Sequence, residues 1–414
     1  MYGNTLSGIQ PLMGSSAVIP KASITQLTID MLASELSETR GRSALELGAG
    51  SWGPETRLDD EGLELDSLER LNATSALNAY FHLHEYGAED YLLAMPTIGE
   101  WVDLIEQSLA ETGKHVTFRT SGSTGKPKPC QHKIADLEME AAYWADIFSD
   151  CKQVVSLVPS QHIYGTIWTI LLPKVLGVPC QYGRFKPSSA MSSAAGSVEG
   201  AGPSLVIATP TIWQFLEKSL PSFPANLTGI TSTGPMPEGL GDALLEKGLS
   251  RLVEIYGSSE TGAIGWRDHG DEQYTVLDYW HRQSGRELSR THADGTDAAV
   301  ELMDKLDWSG EKQFSVAGRV DGAVQVGGYN VFPDRIRDTL TKRPEIREAA
   351  VRLDKGTGRL KAFLVPQEQG GDPASLIAAI DKWCAEALSA HERPRDFTVG
   401  DAIPRNEMGK LRDW

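Results

Sequence analysis

Cysteine is scarce. Four occur in 414 residues (Cys130, Cys151, Cys180 and Cys384), and no two are spaced as CxxC. That spacing argues against a disulfide scaffold or a zinc ribbon and for a reducing, cytoplasmic setting. No apolar run reaches the ~18 residues a membrane helix needs. The opening MYGNTLSGIQPLMG lacks a basic stretch leading into an apolar core. Neither a membrane span nor a signal peptide is therefore expected. Basic residues are in deficit as well: 39 Lys and Arg stand against 56 Asp and Glu, a formal net charge of −17. A nucleic-acid partner or an anionic membrane surface fits such a chain poorly. What is present is ordinary for a globular protein. Apolar residues make up 40% and charged residues 23%, which excludes wholesale disorder. At ~100–200 residues per domain, the length gives two to four domains with buried cores.

The acidity is concentrated. Residues 1–112 hold eighteen Asp and Glu and five Lys and Arg, a net of −13, so the remaining chain carries only −4. Two modules with different surfaces are expected, the first suited to basic partner surfaces or simply solvated. Residues 1–21 are rich in Gly, Ser and Pro and are expected to be flexible. Residues 22–112 show helical spacing in four places. The first is 22–38, with Ile24, Leu27, Met31, Leu32 and Leu36. The second is Ser67–Leu83, with Leu68, Leu71, Ala76, Leu77 and Phe81 on one face. A short third helix is expected over Ala88–Leu93. A fourth follows Pro96, with Ile98, Trp101, Val102, Ile105 and Leu109. The pattern predicts an acidic four-helix bundle. Residues 113–320 alternate strand-like runs, VTFRT (116–120), VVSLV (154–158) and SLVIAT (204–209), with helical stretches at 135–148 and 212–220. That is α/β patterning. Residues 321–414 form a smaller α+β unit, with strands at AAVRL and KAFLV and a helix over 374–388.

Within Thr120-Ser121-Gly122-Ser123-Thr124-Gly125-Lys126-Pro127-Lys128, hydroxyls, glycines and lysines crowd together between a strand-like and a helix-like run. Glycines let backbone N–H groups converge on phosphate oxygens, hydroxyls add donors, and lysines neutralise charge. An ordinary Ser/Gly turn is the alternative. The GxxxxGK[ST] loop is not matched, so the logic of P-loop nucleotidases does not carry over.

The segment TSGSTGKPKP resembles the signature of the adenylate-forming superfamily, which includes acyl- and aryl-CoA ligases, peptide-synthetase adenylation domains and luciferases. Further motifs similar to that family's follow in order. They are Tyr256-Gly257-Ser258-Ser259-Glu260-Thr261-Gly262, Asp304 fifteen residues before Arg319, Gly318-Arg319-Val320-Asp321, and Pro404-Arg405-Asn406-Glu407-Met408-Gly409-Lys410. The resemblance implies a compact α/β large domain (113–320) and a small mobile C-terminal domain (321–414). It implies two half-reactions: a carboxylate attacks the α-phosphate of ATP, giving acyl-AMP and pyrophosphate, and a thiol then displaces AMP. By the same resemblance, Lys410 would bridge carboxylate and phosphate as a mobile cation. Glu260 would hold Mg2+, and Thr261 would touch the α-phosphate. Tyr256 would face adenine, Asp304 and Arg319 would bind the ribose, and Asp321 would mark the hinge between domains. His162, in Pro159-Ser160-Gln161-His162-Ile163-Tyr164-Gly165, resembles an aromatic-gate motif beside the acid. Ala208-Thr209-Pro210 and Ser232-Thr233-Gly234 resemble pocket-lining segments. Two positions depart from the family pattern: Pro129 stands where Gly is usual, and Leu302-Met303 replace Thr-Gly before Asp304. Only about 118 residues precede the phosphate loop, fewer than most members have.

Leu65-Asp66-Ser67-Leu68 resembles the DSL box of acyl carrier proteins, whose serine receives 4'-phosphopantetheine from a phosphopantetheinyl transferase. The first module (22–112) is then carrier-like. Asp and Ser are also common helix caps. A tethered carrier would make thiol transfer intramolecular. The layout resembles ligases of aryl-polyene and xanthomonadin-type pathways, which load hydroxybenzoate-like acids. The function expected is an ATP- and Mg2+-dependent ligase that loads a small carboxylic acid onto a carrier thiol. Its rivals are a ligase using free CoA with an unmodified docking domain, and a carrier or scaffold with a degenerate adenylation domain.

Overall fold

The computed structural model describes residues 19–120, 128–183, 202–354, 356–368, 371–405, 411, 412 and 414. The chain falls into two compact units. One takes the described residues up to Thr117 with His132–Ala135; the other takes Phe118–Gln131 and Asp136–Trp414. The expected flexible N-terminus falls almost wholly on residues 1–18, outside the described residues.

The first unit is helical. α1 (Lys21–Arg40) buries Ile24, Leu27, Met31, Leu32 and Leu36, as its spacing requires, and ends at Gly41, whose φ is +60°. α2 (Ser67–Phe81) starts at a capping box. The Asp66 carboxylate accepts from the N–H groups of Leu68 and Glu69, and Glu69 reaches back to the Asp66 N–H. α3 (Ile98–Thr112) begins at a second capping box made by Thr97 and Glu100, and it buries Ile98, Trp101, Val102, Ile105 and Leu109.

Two expectations need correcting. Leu68 and Leu71 do not face the core; they are 61% and 49% exposed. Glu69, only 8% exposed, sets the rotation of α2 instead, because both its oxygens take hydrogen bonds of 2.6 Å from Arg40 on α1. Turning Glu69, Ala73, Ala76 and Tyr80 inward turns the two leucines outward. The expected helix over Ala88–Leu93 is absent among the described residues. A 3-10 turn, Tyr91–Ala94, takes its place, pinned by the Trp101 indole N–H on the Leu92 carbonyl at 2.8 Å. The stretch between Gly87 and Pro96 is too short to build an i→i+4 ladder. The unit therefore has three α-helices among its described residues, and α2 stops at Phe81 rather than Leu83.

A two-stranded sheet, β1 (His115–Thr120) with β2 (Lys128–Lys133), leads into α4 (Ile134–Ile147). The second unit centres on a nine-stranded sheet. Five strands run parallel in the order β4 (Cys180–Tyr182), β3 (Gln153–Ser156), β5 (Ser204–Ala208), β6 (Leu227–Thr231) and β7 (Arg251–Ser258). β5 is buried along its whole length, as a central parallel strand should be. Helices Pro210–Ser219 and Leu240–Glu246 cover one face through Trp213, Leu216 and Leu244, packed on Val155, Val206 and Leu252. At β7 the direction reverses. β8 (Gly262–Asp268), β9 (Tyr274–Val276), β14 (Gln313–Arg319) and β13 (Asp304–Trp308) continue the sheet antiparallel. β10 (Trp280–Arg282), β11 (Glu287–Thr291) and β12 (Asp297–Glu301) make a separate three-stranded sheet.

The C-terminal part follows the expected α+β pattern. After the hairpin β15 (Val324–Val326) and β16 (Tyr329–Val331) come helix Pro333–Leu340, β17 (Ile346–Asp354), β18 (Arg359–Pro366), helix Pro373–Ala387 and β19 (Asp396–Val399). Ile336, Leu340, Val351, Leu364, Ile380 and Cys384 form its core.

Glu69 carries two structural tasks at once, and its carboxyl is held below the usual range first by the Arg40 hydrogen bonds. Glu69→Ala is expected to cost about 2–3 kcal/mol, from a broken ion pair and a lost cap. Because the folded carboxyl is the stronger acid, this contribution is complete above the ordinary Glu range and lost as pH falls below it. Chemical denaturation of wild type and variant at pH 7 and pH 3.5 checks both: the difference should be full at the first and smaller at the second.

Candidate active site

In an open α/β sheet, ligands sit beyond the carboxyl ends of the parallel strands. Four of the flagged segments leave that edge. β3 runs into the loop ending at His162, β5 into Thr209-Pro210, β6 into Ser232-Thr233-Gly234, and β7 into Ser259-Glu260-Thr261. Tyr164 fastens this edge: its buried hydroxyl donates to the Ile230 carbonyl at 2.9 Å and to the Ala208 carbonyl at 3.3 Å. His162 is exposed and stands as N-cap of the short helical turn Ile163–Gly165. Ser232 donates to the Ile255 carbonyl at 3.0 Å, and Thr233 is held in the left-handed region at φ 76°.

The turn after β7 is built on two close approaches. A Cβ on Gly257 would lie 2.2 Å from the Gly262 carbonyl oxygen, so only glycine lets the strands meet there. Gly262 has φ +69°, and a Cβ on it would lie 2.5 Å from a Glu140 oxygen. Between them the Thr261 hydroxyl accepts from the Ser258 N–H at 3.1 Å and contacts the Ser258 hydroxyl at the same distance. Glu260 is exposed at the turn, next to the buried Thr261. The Thr261 hydroxyl itself donates to the Gly262 carbonyl at 2.8 Å. The exposed Glu260 carboxylate is the group at this turn that suits a hard cation sharing phosphate oxygens.

Tyr256 and two residues of a later hairpin, Asp304 and Arg319, converge beside this turn. Asp304 and Arg319 stand directly opposite each other in the β13–β14 ladder, with Arg319 Nη1 3.6 Å from Asp304 Oδ1. Tyr256 donates its hydroxyl to Asp304 Oδ2 at 2.7 Å. Its ring packs edge-on to Phe314 with centroids 5.4 Å apart. Burial first, and then the Asp304 carboxylate, hold the Tyr256 hydroxyl well above the ordinary phenol range, so it stays a donor. Arg319 also grips Asp321 through two hydrogen bonds of 2.9 and 2.8 Å. That pairing holds the Asp321 carboxyl below its usual range and the guanidinium above its own. A carboxylate and a guanidinium fixed side by side offer one acceptor and one donor array, which is the chemistry a pair of adjacent sugar hydroxyls requires.

Not every expected residue is placed. Lys128 opens β2 and is exposed, and Thr120 closes β1. Ser121, Gly122, Ser123, Thr124, Gly125 and Lys126 lie outside the described residues, as does Lys410. Its flanks are described: Arg405 and Leu411 form an isolated antiparallel bridge, and the Arg412 N–H donates to the Pro404 carbonyl at 2.9 Å. Sequence reasoning missed the buried pair Glu140 and Arg290 behind the turn. Glu140 sits within an apolar helical stretch and carries no motif of its own.

Asp304→Ala removes the acceptor of Tyr256 and the cross-strand countercharge of Arg319. Calorimetric titration should find ATP binding weakened by at least ~10-fold, the scale of one charge-assisted hydrogen bond. Tyr256→Phe, which keeps both charges, should lose less.

Comparison with known proteins shows the family. A sequence model described as AMP-binding enzyme matches residues 116–333, and one described as AMP-binding enzyme C-terminal domain matches residues 336–410. The chain is 36% identical over 392 residues to a 4-coumarate–CoA ligase of Halorhodospira halophila, covering 94% of this chain and 98% of that one. It is 36% identical over 405 residues to a 4-coumarate–CoA ligase of Rhodobacter capsulatus, covering 94% and 100%. Among solved structures, a malonyl-CoA ligase in complex with methylmalonyl-CoA and AMP aligns at a TM-score of 0.53 and 22% identity, covering 70% of this chain and 71% of that chain. The likeness to that structure is one of fold. The matched segments take in the whole of the candidate site, and the chain belongs to the AMP-binding enzyme family.

Proposed function

We propose that the protein is an AMP-forming acid–thiol ligase that activates a small aromatic carboxylic acid and transfers it to CoA. The observation that carries the reading is the Tyr256–Asp304–Arg319 constellation beside the turn bearing Glu260 and Thr261. In the first half-reaction a carboxylate oxygen of the acid bonds to the α-phosphorus of ATP, and the bond to the bridging oxygen breaks to release pyrophosphate. In the second, a thiol sulfur bonds to the acyl carbon, AMP leaves, and the thiol proton goes to solvent.

The chain's own groups are assigned as follows. Asp304 accepts from the ribose hydroxyls, with Tyr256 and Arg319 fixing its carboxylate. Thr261 and the Thr120–Lys128 segment, Ser121, Ser123, Thr124 and Lys126 among them, take the phosphate oxygens. Glu260 would hold Mg2+, which offsets phosphate charge when bound. Lys410 supplies positive charge where two anions must meet, and that charge is worth most in a water-excluded site. Gly234 and His162 border the acid.

The choice of acid and acceptor rests on the relatives. Proteins named 4-coumarate–CoA ligase align with 94% of this chain and nearly all of their own length. Most of the acidic first 112 residues therefore has a counterpart inside ligases of that name, which favours CoA over a fused carrier. Their name also differs from that of an aryl-polyene ligase, and we set that narrower reading aside.

One observation keeps a carrier reading in view. Ser67 is exposed at the first turn of α2, next to the exposed Leu68 and Leu71, where a phosphopantetheinyl transferase could reach it. An ordinary capping box explains the same Asp-Ser pair, and Asp66 is in use as that cap.

A panel of aryl and alkyl acids with ATP and Mg2+ tests the function. Acid-dependent pyrophosphate release, followed by thioester formation on free CoA and greatest with 4-coumarate-like acids, is expected. Release with no acid sinks the ligase reading. For the acceptor, intact mass after incubation with CoA and a phosphopantetheinyl transferase should be unchanged, and Ser67→Ala should keep full activity with CoA. A 4'-phosphopantetheine adduct lost in that variant would instead establish the carrier.

A further inference from the structure

Behind the turn that carries Glu260 and Thr261 lies a buried polar cluster to which the reading above gives no role. Glu140 on α4 is 1% exposed, and Arg290 on β11 is 4% exposed. The Ala263 N–H donates to both Glu140 carboxylate oxygens, at 3.2 Å each. Arg290 Nη1 donates to the Thr261 carbonyl at 2.7 Å. The Trp280 indole N–H, on β10, donates to the Ala263 carbonyl at 2.8 Å. Three side chains from three elements thus grip the backbone on both sides of Gly262. The left-handed φ of that glycine turns the chain, and its missing side chain makes room for the carboxylate.

The cluster is costly for a merely structural turn. Arg290 lies over the rings of Tyr279 and Trp280 at 5.4 and 5.5 Å, and among the described residues its Nε and Nη2 have no hydrogen-bond partner. Burial pushes the Glu140 carboxyl up to about 7, against the pull of Arg290. Apolar side chains could fill this volume at lower desolvation cost. They could not hold an N–H and a carbonyl two residues apart and fix the direction of the side chains beside them.

We propose that Glu140 and Arg290 are positioning residues for adenylate formation, holding the Ser258–Ala263 turn so that Glu260 and Thr261 meet Mg2+ and the α-phosphate in reacting geometry. The inference rests on the ligase reading above. The two buried side chains bond to the backbone of the turn and act through it. Trp280 completes the grip from the other side of Ala263.

The test compares Glu140→Gln, Arg290→Lys, Arg290→Met and Trp280→Phe with wild type in the full chain. Acid-dependent pyrophosphate exchange is followed while Mg2+ and acid are titrated, alongside melting temperature with and without Mg2+ and ATP. Displacing a catalytic group by about 1 Å can cost on the order of 100-fold. On that scale Glu140→Gln and Arg290→Met should lower kcat by roughly 30-fold or more and raise the half-saturating Mg2+ by about tenfold, with the KM for the acid within about twofold. Arg290→Lys, which keeps a cationic donor, should recover part of both losses.

Folded variants with wild-type kcat and Mg2+ requirement, altered only in melting temperature, overturn the proposal and leave the cluster a core filler. If the charge variants do not fold, Trp280→Phe carries the comparison. It keeps a ring over Arg290 and removes one donor, and a wild-type Mg2+ requirement in that variant overturns the proposal. Should wild type itself give no exchange with any acid, the ligase reading fails. The positioning role then stands if Mg2+ and ATP raise the melting temperature of wild type but not of Glu140→Gln, and it falls if they raise both or neither.

Discussion

The contact between β7 and β8 at Gly257 and Gly262 is the constraint on which the candidate site depends. Strand direction reverses there, from the parallel half of the sheet to the antiparallel half. The strands approach so closely that a single added carbon on Gly257 would lie 2.2 Å from the opposing carbonyl oxygen. The reversal does two things together. It ends β7 at the edge where the loops of β3, β5 and β6 also emerge. It also starts the antiparallel run that brings β13 and β14, with Asp304 and Arg319, back beside Tyr256. A nucleotide-sized site needs groups from both halves, and the tight reversal is how one sheet supplies them.

Much of this was legible in the sequence because it was local. Apolar spacing located α1 and α3. The spacing between Asp304 and Arg319 resolves into a hairpin whose first and last residues are cross-strand partners. The misreadings have a common cause. Leu68 and Leu71 look like core residues until Glu69 is seen taking the inward position through Arg40. Periodicity cannot weigh a long-range ion pair against two leucines. Glu140 was hidden for the same reason: its partners Ala263 and Arg290 lie more than a hundred residues away, and nothing nearby in sequence signals them.

The acidic first unit shows how one feature supports two stories. Negative charge, a helix opening at Asp66-Ser67 and exposed leucines beside it fit a carrier surface. They fit equally a capped helix rotated by an ion pair, inside a ligase of the length its relatives have. The distinction is chemical rather than architectural, since only covalent modification of the Ser67 hydroxyl separates them.

The arrangement around Ala263 has an optical consequence. Trp280 is bonded to that residue's carbonyl, and Trp144 lies along the Glu140 carboxylate, its indole nitrogen 3.5 Å from Oε1. Indole emission depends on the polarity and hydrogen bonding around the ring. Two of the protein's ten tryptophans are therefore hydrogen-bonded at the candidate turn, and a movement of that turn is expected to change their share of the emission without any added label.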